Sequence, residues 1–124
     1  MSFLNELFGS SRNKEDNQKF WHRMESVHDL EGAIEVSHRQ KVVIFKHSTR
    51  CFISKTVLHR FENEVENTDK SAAYYLLDLL AHRELSNKMA EVFGVEHQSP
   101  QLIVVENGKA VSSASHEAIS IEII

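Results

Sequence analysis

The run "KVVIFKH", residues 41–47, constrains the fold more than any other stretch of the chain. It is a continuous series of β-branched and aromatic residues, as expected of a strand buried on both faces. Such a strand needs cover on each side of its sheet, and the flanking sequence supplies helices. "SVHDLEGAIEVSHRQ" puts Val27, Leu30, Ala33 and Ile34 on one helical face, with Ser26 as N-cap and Asp29 three residues on. After residue 51, Ile53, Val57, Leu58, Phe61 and Val65 fall at helical spacing. "SAAYYLLDLL" reads as a second buried strand. "RELSNKMAEVFG" carries Leu85, Met89, Val92 and Phe93 on one face and Gly94 as its C-terminal stop. "QLIVVENGKAVSSA" holds two strands around Asn107-Gly108, a type I′ hairpin signal. "SHEAISIEII" predicts a closing helix, with Ser115 as cap and Glu117 in the first turn, although its isoleucines also suit a strand. Strands separated by helices give parallel neighbours, and the hairpin adds antiparallel ones. The expected class is α/β, a central mixed four-stranded sheet flanked by helices.

The chain has 124 residues, enough for one domain with a substantial core. That domain is assigned to residues 20–124. Residues 1–19 form a separate N-terminal segment and linker, in which Phe3, Leu4, Leu7 and Phe8 predict an extra short amphipathic helix ending at Gly9. A net charge of −4 argues against nucleic-acid binding, which ordinarily shows a basic face. No apolar run approaches the roughly 20 residues of a membrane span. The opening "MSFLNELFGSSRNKED" lacks the basic start, apolar core and small-residue cleavage site of a signal peptide, so a cytoplasmic location is expected.

Cys51 is the only cysteine. It excludes an internal disulfide, a C-x-x-C redox pair and a multi-cysteine zinc or iron–sulfur site within one chain. Its position is informative. It falls where the strand "VVIF" gives way to the next helix, and in an α/β sheet the crevice beyond the C-terminal strand ends is the usual ligand position. With Ser48 or Thr49 as helix cap, Cys51 lies in the first turn. Unpaired N–H groups and the positive end of the helix there favour a thiolate, the reactive form of cysteine. Arg50, Lys55 and His47 are placed to add positive potential, and the Ser54 hydroxyl is within reach of the sulfur. A lone cysteine is also often just a small buried hydrophobe, and that alternative stays open. His47 and Cys51 are only two potential ligands, so no metal is expected.

The order of strand, loop cysteine, helix, strand, helix and "HQSPQLIVVENGK" resembles thioredoxin-fold proteins. In that fold a proline before a core strand forms a cis peptide bond opposite the active cysteine. Pro100, the only proline, precedes "QLIVV", and the resemblance implies a cis Ser99–Pro100 bond. Within the superfamily, "IFKHSTRCFIS" is similar to the monothiol bacilliredoxins. Their pattern runs lysine, histidine, serine, threonine, a variable residue, cysteine, proline, isoleucine and serine, matched here by Lys46, His47, Ser48, Thr49, Cys51, Ile53 and Ser54. The departure is Phe52, which stands in place of the proline. Its ring is expected either to pack into the domain or to contact a partner.

The resemblance covers residues 20 to the end. It implies a thiol–disulfide oxidoreductase that removes bacillithiol from mixed disulfides through one nucleophilic thiol, Cys51, with Thr49 and Ser54 supporting the thiolate. Ser99 and Pro100 would meet the substrate strand, and Arg50 and Lys55 the carboxylates of bacillithiol. Bacillithiol is then a co-substrate, with no bound cofactor. The partners are bacillithiolated client proteins, without nucleic acid or membrane, and a monomer is expected. Two alternatives stay open on sequence alone. One is a thioredoxin-like binding module without turnover, docking a partner through Phe52 and the proline loop. The other is an iron–sulfur carrier assembled from two chains, as in monothiol glutaredoxins.

Overall fold

The structure, a computed structural model, describes residues 20–124, so the expected N-terminal helix lies outside the described residues. Five strands and three α-helices alternate along the chain: β1 (Trp21–Arg23), α1 (Val27–Val36), β2 (Val42–His47), α2 (Phe52–Glu66), β3 (Ala73–Asp78), α3 (Arg83–Phe93), β4 (Gln101–Glu106) and β5 (Lys109–Ser115). The strands form one mixed sheet in the order β1-β3-β2-β4-β5. β1, β3 and β2 are parallel, whereas β4 is antiparallel to β2 and β5 to β4.

The α/β class is as expected, but the sheet has five strands rather than four. The additional one, β1, is 3 residues long, too short for any alternating pattern to show. Trp21 alone is buried in it, and the segment is a strand because Trp21 lies opposite Tyr74 at the free edge of β3.

β2 is buried along its whole length, and alternate residues feed two separate cores. Val42 and Ile44 pack with Leu30 and Ala33 of α1 and with Leu85 and Met89 of α3. Val43 and Phe45 face the other way, onto Val57, Leu58 and Phe61 of α2, joined by Trp21, Tyr74 and Ile119. Burying each large apolar side chain contributes about 1.5–3 kcal/mol, so the two-sided cover of β2 sustains the three-layer arrangement.

Local signals are seated as the residues suggest. Ser26 Oγ accepts the Asp29 N–H at 3.1 Å, capping α1, and Asp29 returns a bond by accepting the Glu25 N–H at 2.9 Å. Gly94 ends α3 at φ +65, a left-handed conformation that costs glycine little. Asn107 and Gly108 turn the β4–β5 hairpin with φ 53 and 77, as a type I′ turn requires. Ser37 holds this tip from below: its carbonyl and hydroxyl accept the N–H groups of Asn107 and Gly108 at 2.8 and 2.9 Å.

The C-terminal segment corrects the expected closing helix. β5 continues through Ser115 and gives way to two short 3₁₀ turns, His116–Ala118 and Ile121–Ile123. Ser115 makes no side-chain capping bond, and His116 takes φ 57, which interrupts any helix there. The tail's polar groups bond instead to α2 and the loop after it. Arg60 donates to the Ile119 carbonyl, Glu64 accepts the Ile121 N–H at 2.9 Å, and Lys70 donates to the Ile121 and Ile124 carbonyls. This path buries Ile119 fully and packs Ile121, Ile123 and Ile124 on the α2 core.

Candidate active site

β2 ends at His47, and β4 begins at Gln101 beside it, with Lys46 paired to Gln101. The segments carrying Cys51 and Pro100 therefore leave the same end of the sheet from adjacent strands. The Ser99–Pro100 bond is cis, as expected. Pro100 is buried and its carbonyl accepts the His116 N–H at 3.0 Å. Ser99 is half-buried, and no described residue hydrogen-bonds to its main chain.

Cys51 is half-buried and stands at the N-cap of α2, one residue before the first turn in which it was expected. The reason is the turn Ser48–Cys51, in which the Cys51 N–H is bonded to the Ser48 carbonyl at 3.1 Å. The helix then starts at Phe52, with the Cys51 carbonyl accepting from Lys55 N–H at 3.1 Å. The Cys51 side chain makes no capping bond, so the sulfur sits at the positive helix end without being tied to it. Thr49 and Arg50 form the exposed crest of the turn, and Lys55 is exposed one helical turn past the thiol. Phe52 is 80% exposed, which rules out packing of its ring into the domain.

Ser54 is fully buried and turned away from the role its spacing suggested. Its Oγ accepts the Ser48 N–H at 3.0 Å and lies 2.8 Å from His47 Nδ1. A hydroxyl has one proton to donate. Its oxygen also has two lone pairs, so the Ser54–His47 bond runs from the hydroxyl to Nδ1 or from Nδ1–H to the oxygen according to the tautomer of the ring. Ser54 thus ties the end of β2 to the turn that presents Cys51; among the described residues no bond joins it to the sulfur.

His47 does not supply the positive potential expected of it. Burial lowers its pKa to about 4; Asp78 partly opposes this, while Lys55, His59 and Arg23 push the same way as burial. It is neutral at physiological pH. An unfolded histidine, pKa about 6.5, takes up a proton that the folded one refuses, so stability is full above that value and falls as pH drops toward 4. Glu62 works in the opposite sense: burial raises its pKa, so its contribution is greatest at low pH and is lost as pH rises. The His47 share is separable by substitution. On going from pH 7.5 to 5.0, wild type is expected to lose about 2 kcal/mol relative to His47→Asn in chemical denaturation. A constant gap between the two would show that the imidazole titrates as if exposed.

The polar residues to which sequence reasoning gave no role are Lys46, matched only as part of the family pattern, and Gln101, both buried on the other face of the same strand ends. A signal for them exists in the chain: each is a polar residue adjoining an otherwise apolar run. Among the described residues no three histidine, cysteine, aspartate or glutamate side chains gather as a metal site, and no helix is long and apolar enough to cross a membrane.

Several known proteins share this arrangement. A family model described as monothiol bacilliredoxin BrxC matches residues 22–124. A solved structure, described as a proposed oxidoreductase with a thioredoxin fold, is 28% identical with a TM-score of 0.73, covering 85% of this chain and 90% of its own. Thioredoxin from Schistosoma mansoni is 22% identical with a TM-score of 0.63, over 80% of this chain and 85% of the other. Thioredoxin from Malassezia sympodialis is 16% identical with a TM-score of 0.62, over 76% of each chain. The two thioredoxins establish the fold. The family match and the 28%-identical oxidoreductase support a function of the thiol-oxidoreductase type. With a cis-proline segment beside that thiol and a match that spans the described domain, the chain belongs to the monothiol bacilliredoxin family.

Proposed function

We propose that this protein removes bacillithiol from protein mixed disulfides, in the cytoplasm, with bacillithiol itself as co-substrate. The observation that carries this reading is the pairing of one free thiol with a buried, hydrogen-bonded Ser54 three residues on. A dithiol enzyme would have its second cysteine there. Serine cannot resolve a mixed disulfide, so the capped enzyme must be regenerated from outside.

In the first step the Cys51 thiolate attacks the bacillithiol sulfur of a capped client. The client–bacillithiol S–S bond breaks, the client leaves as a thiolate, and Cys51 carries the bacillithiol. In the second, the thiolate of another bacillithiol attacks the sulfur of the bound one. This frees the Cys51 thiolate and yields bacillithiol disulfide. Each step exchanges one S–S bond for another, so no further oxidant or reductant enters. Ser99 offers an unengaged main-chain N–H and C=O to the client's extended segment. Arg50 and Lys55, both exposed near the thiol, meet the carboxylates of bacillithiol. Phe52 extends apolar surface toward the client, and Thr49 donates toward the sulfur from the turn.

Intact mass tests the reading. After exposure to bacillithiol disulfide, the protein should gain one bacillithiol on Cys51, and incubation with a bacillithiolated model protein should restore the model's free thiol. Restoration at the same rate with and without the Cys51 thiol would remove the proposal.

A further inference from the structure

Lys46 and Gln101 form the last paired rung between β2 and β4. The segment bearing Cys51 hangs from one side of this rung and the cis-proline segment from the other. Residues opposite each other in an antiparallel pair point to the same face of the sheet. Here that face is the one covered by α1 and α3, away from α2. Both side chains are buried, Lys46 at 0% exposure and Gln101 at 2%.

The Gln101 bond reaches the segment that leads to Pro100, and the Lys46 bond reaches α3 at Ser86, whose hydroxyl faces that segment. Gln101 Nε2 donates to the Glu96 carbonyl at 2.9 Å. Lys46 Nζ donates to the Ser86 carbonyl at 3.2 Å, and Ser86 Oγ lies 3.4 Å from His97 Nδ1. Gln101 Oε1 is buried with no partner among the described residues, and the amine of Lys46 has donors to spare on the same rung. Through one bridging water, the amine is a donor suited to that oxygen. Burial lowers the Lys46 pKa to about 8, a sign that the fold does not gain stability by holding this amine. A buried charge with one backbone acceptor is commonly no better for stability than an apolar side chain of the same volume.

We infer that Lys46 and Gln101 are positioning residues, a buried polar rung that holds the segment 95–100 at the height where Ser99 can pair with a client. This inference rests on the proposed exchange reaction for its substrate, but not for its structural arm. The variants are Lys46→Met and Gln101→Met, each keeping side-chain volume. The expected result for both is a KM for a bacillithiolated protein raised about tenfold with kcat within about twofold of wild type. Hydrogen exchange at the His116 amide, which donates to the Pro100 carbonyl at 3.0 Å, should rise about tenfold while Ile103 and Val104 stay protected. Lys46→Met should melt no lower than wild type.

Unchanged exchange at His116 in both variants overturns the inference. So does faster exchange with an unaltered KM, since the rung would then be structural only. If wild type fails to release bacillithiol at all, the proposed function falls by itself, and the exchange measurement still decides whether the rung holds the segment. Gln101→Met carries the test alone if Lys46→Met does not fold.

Discussion

Cys51→Ser is expected to abolish release of bacillithiol and, in the same molecule, to raise stability. The loss is chemical: a serine hydroxyl stays protonated at neutral pH and its oxygen forms no disulfide. Release should fall to the uncatalysed background. The gain is structural. Cys51 occupies the N-cap of α2 with extended backbone, φ −103 and ψ 120, and makes no side-chain capping bond. Serine is among the best residues at that position because its oxygen accepts an otherwise unpaired N–H of the first turn, worth about 0.5–1 kcal/mol over a residue that does not cap. The melting temperature should rise by a few degrees while the circular dichroism spectrum is unchanged. A lower melting temperature would mean that the sulfur makes packing contacts that the capping bond cannot replace. Retained release would mean that the thiol is not the nucleophile.

Phe61→Ala is expected to cost about 3–5 kcal/mol, the usual range for emptying a large aromatic site. Phe61 is 0% exposed at the centre of the α2 core. Its ring centroid lies 5.9 Å from Phe45, 6.3 Å from Trp21 and 6.3 Å from Tyr74. These three rings come from β2, β1 and β3, so the cavity would loosen the seat of α2 across three strands at once. Trp21 has a second anchor, its indole N–H donating to Glu62 at 2.8 Å, and this limits collapse of the neighbours into the gap. Against a typical domain stability of about 5–15 kcal/mol, such a loss leaves little margin. The urea midpoint, followed by Trp21 emission, measures it. A loss under about 1 kcal/mol would show that the rings repack, contrary to the close contacts observed.

Neither effect would be visible from the residue types alone, although much of the scaffold was. β2, β3, the hairpin strands and the three α-helices are written in short-range signals: a buried run, a 3.6-residue period, Ser26 as a cap, Asn107-Gly108 as a turn. Each depends on residues only a few positions apart, so the chain carries them whatever else it packs against. β1 and the C-terminal turns are different. Three residues around Trp21 become a strand because β3 leaves an edge open, and the final isoleucines abandon a helix because Arg60, Glu64 and Lys70 take up their backbone polar groups.

At the site the same division holds. The position of Cys51 at a strand's end, and of Pro100 before the neighbouring strand, could be read directly from spacing and family pattern. The states of the side chains around them could not. Ser54 has the right spacing to reach the sulfur, yet the close approach of Ser48 and His47 gives its hydroxyl better partners. His47 is a potential cation by composition and a neutral ring by burial. Lys46 is a solvent-loving residue that the sheet covers completely. By itself the sequence determined β2 to β5, the three α-helices, their order and the place of the thiol, because those arise from local periodicity and chain connectivity. Tertiary structure alone decided protonation, hydrogen-bond partners and which polar groups lie beneath the loop. Those depend on desolvation and on neighbours brought together from distant parts of the chain, such as Gln101 beside Lys46.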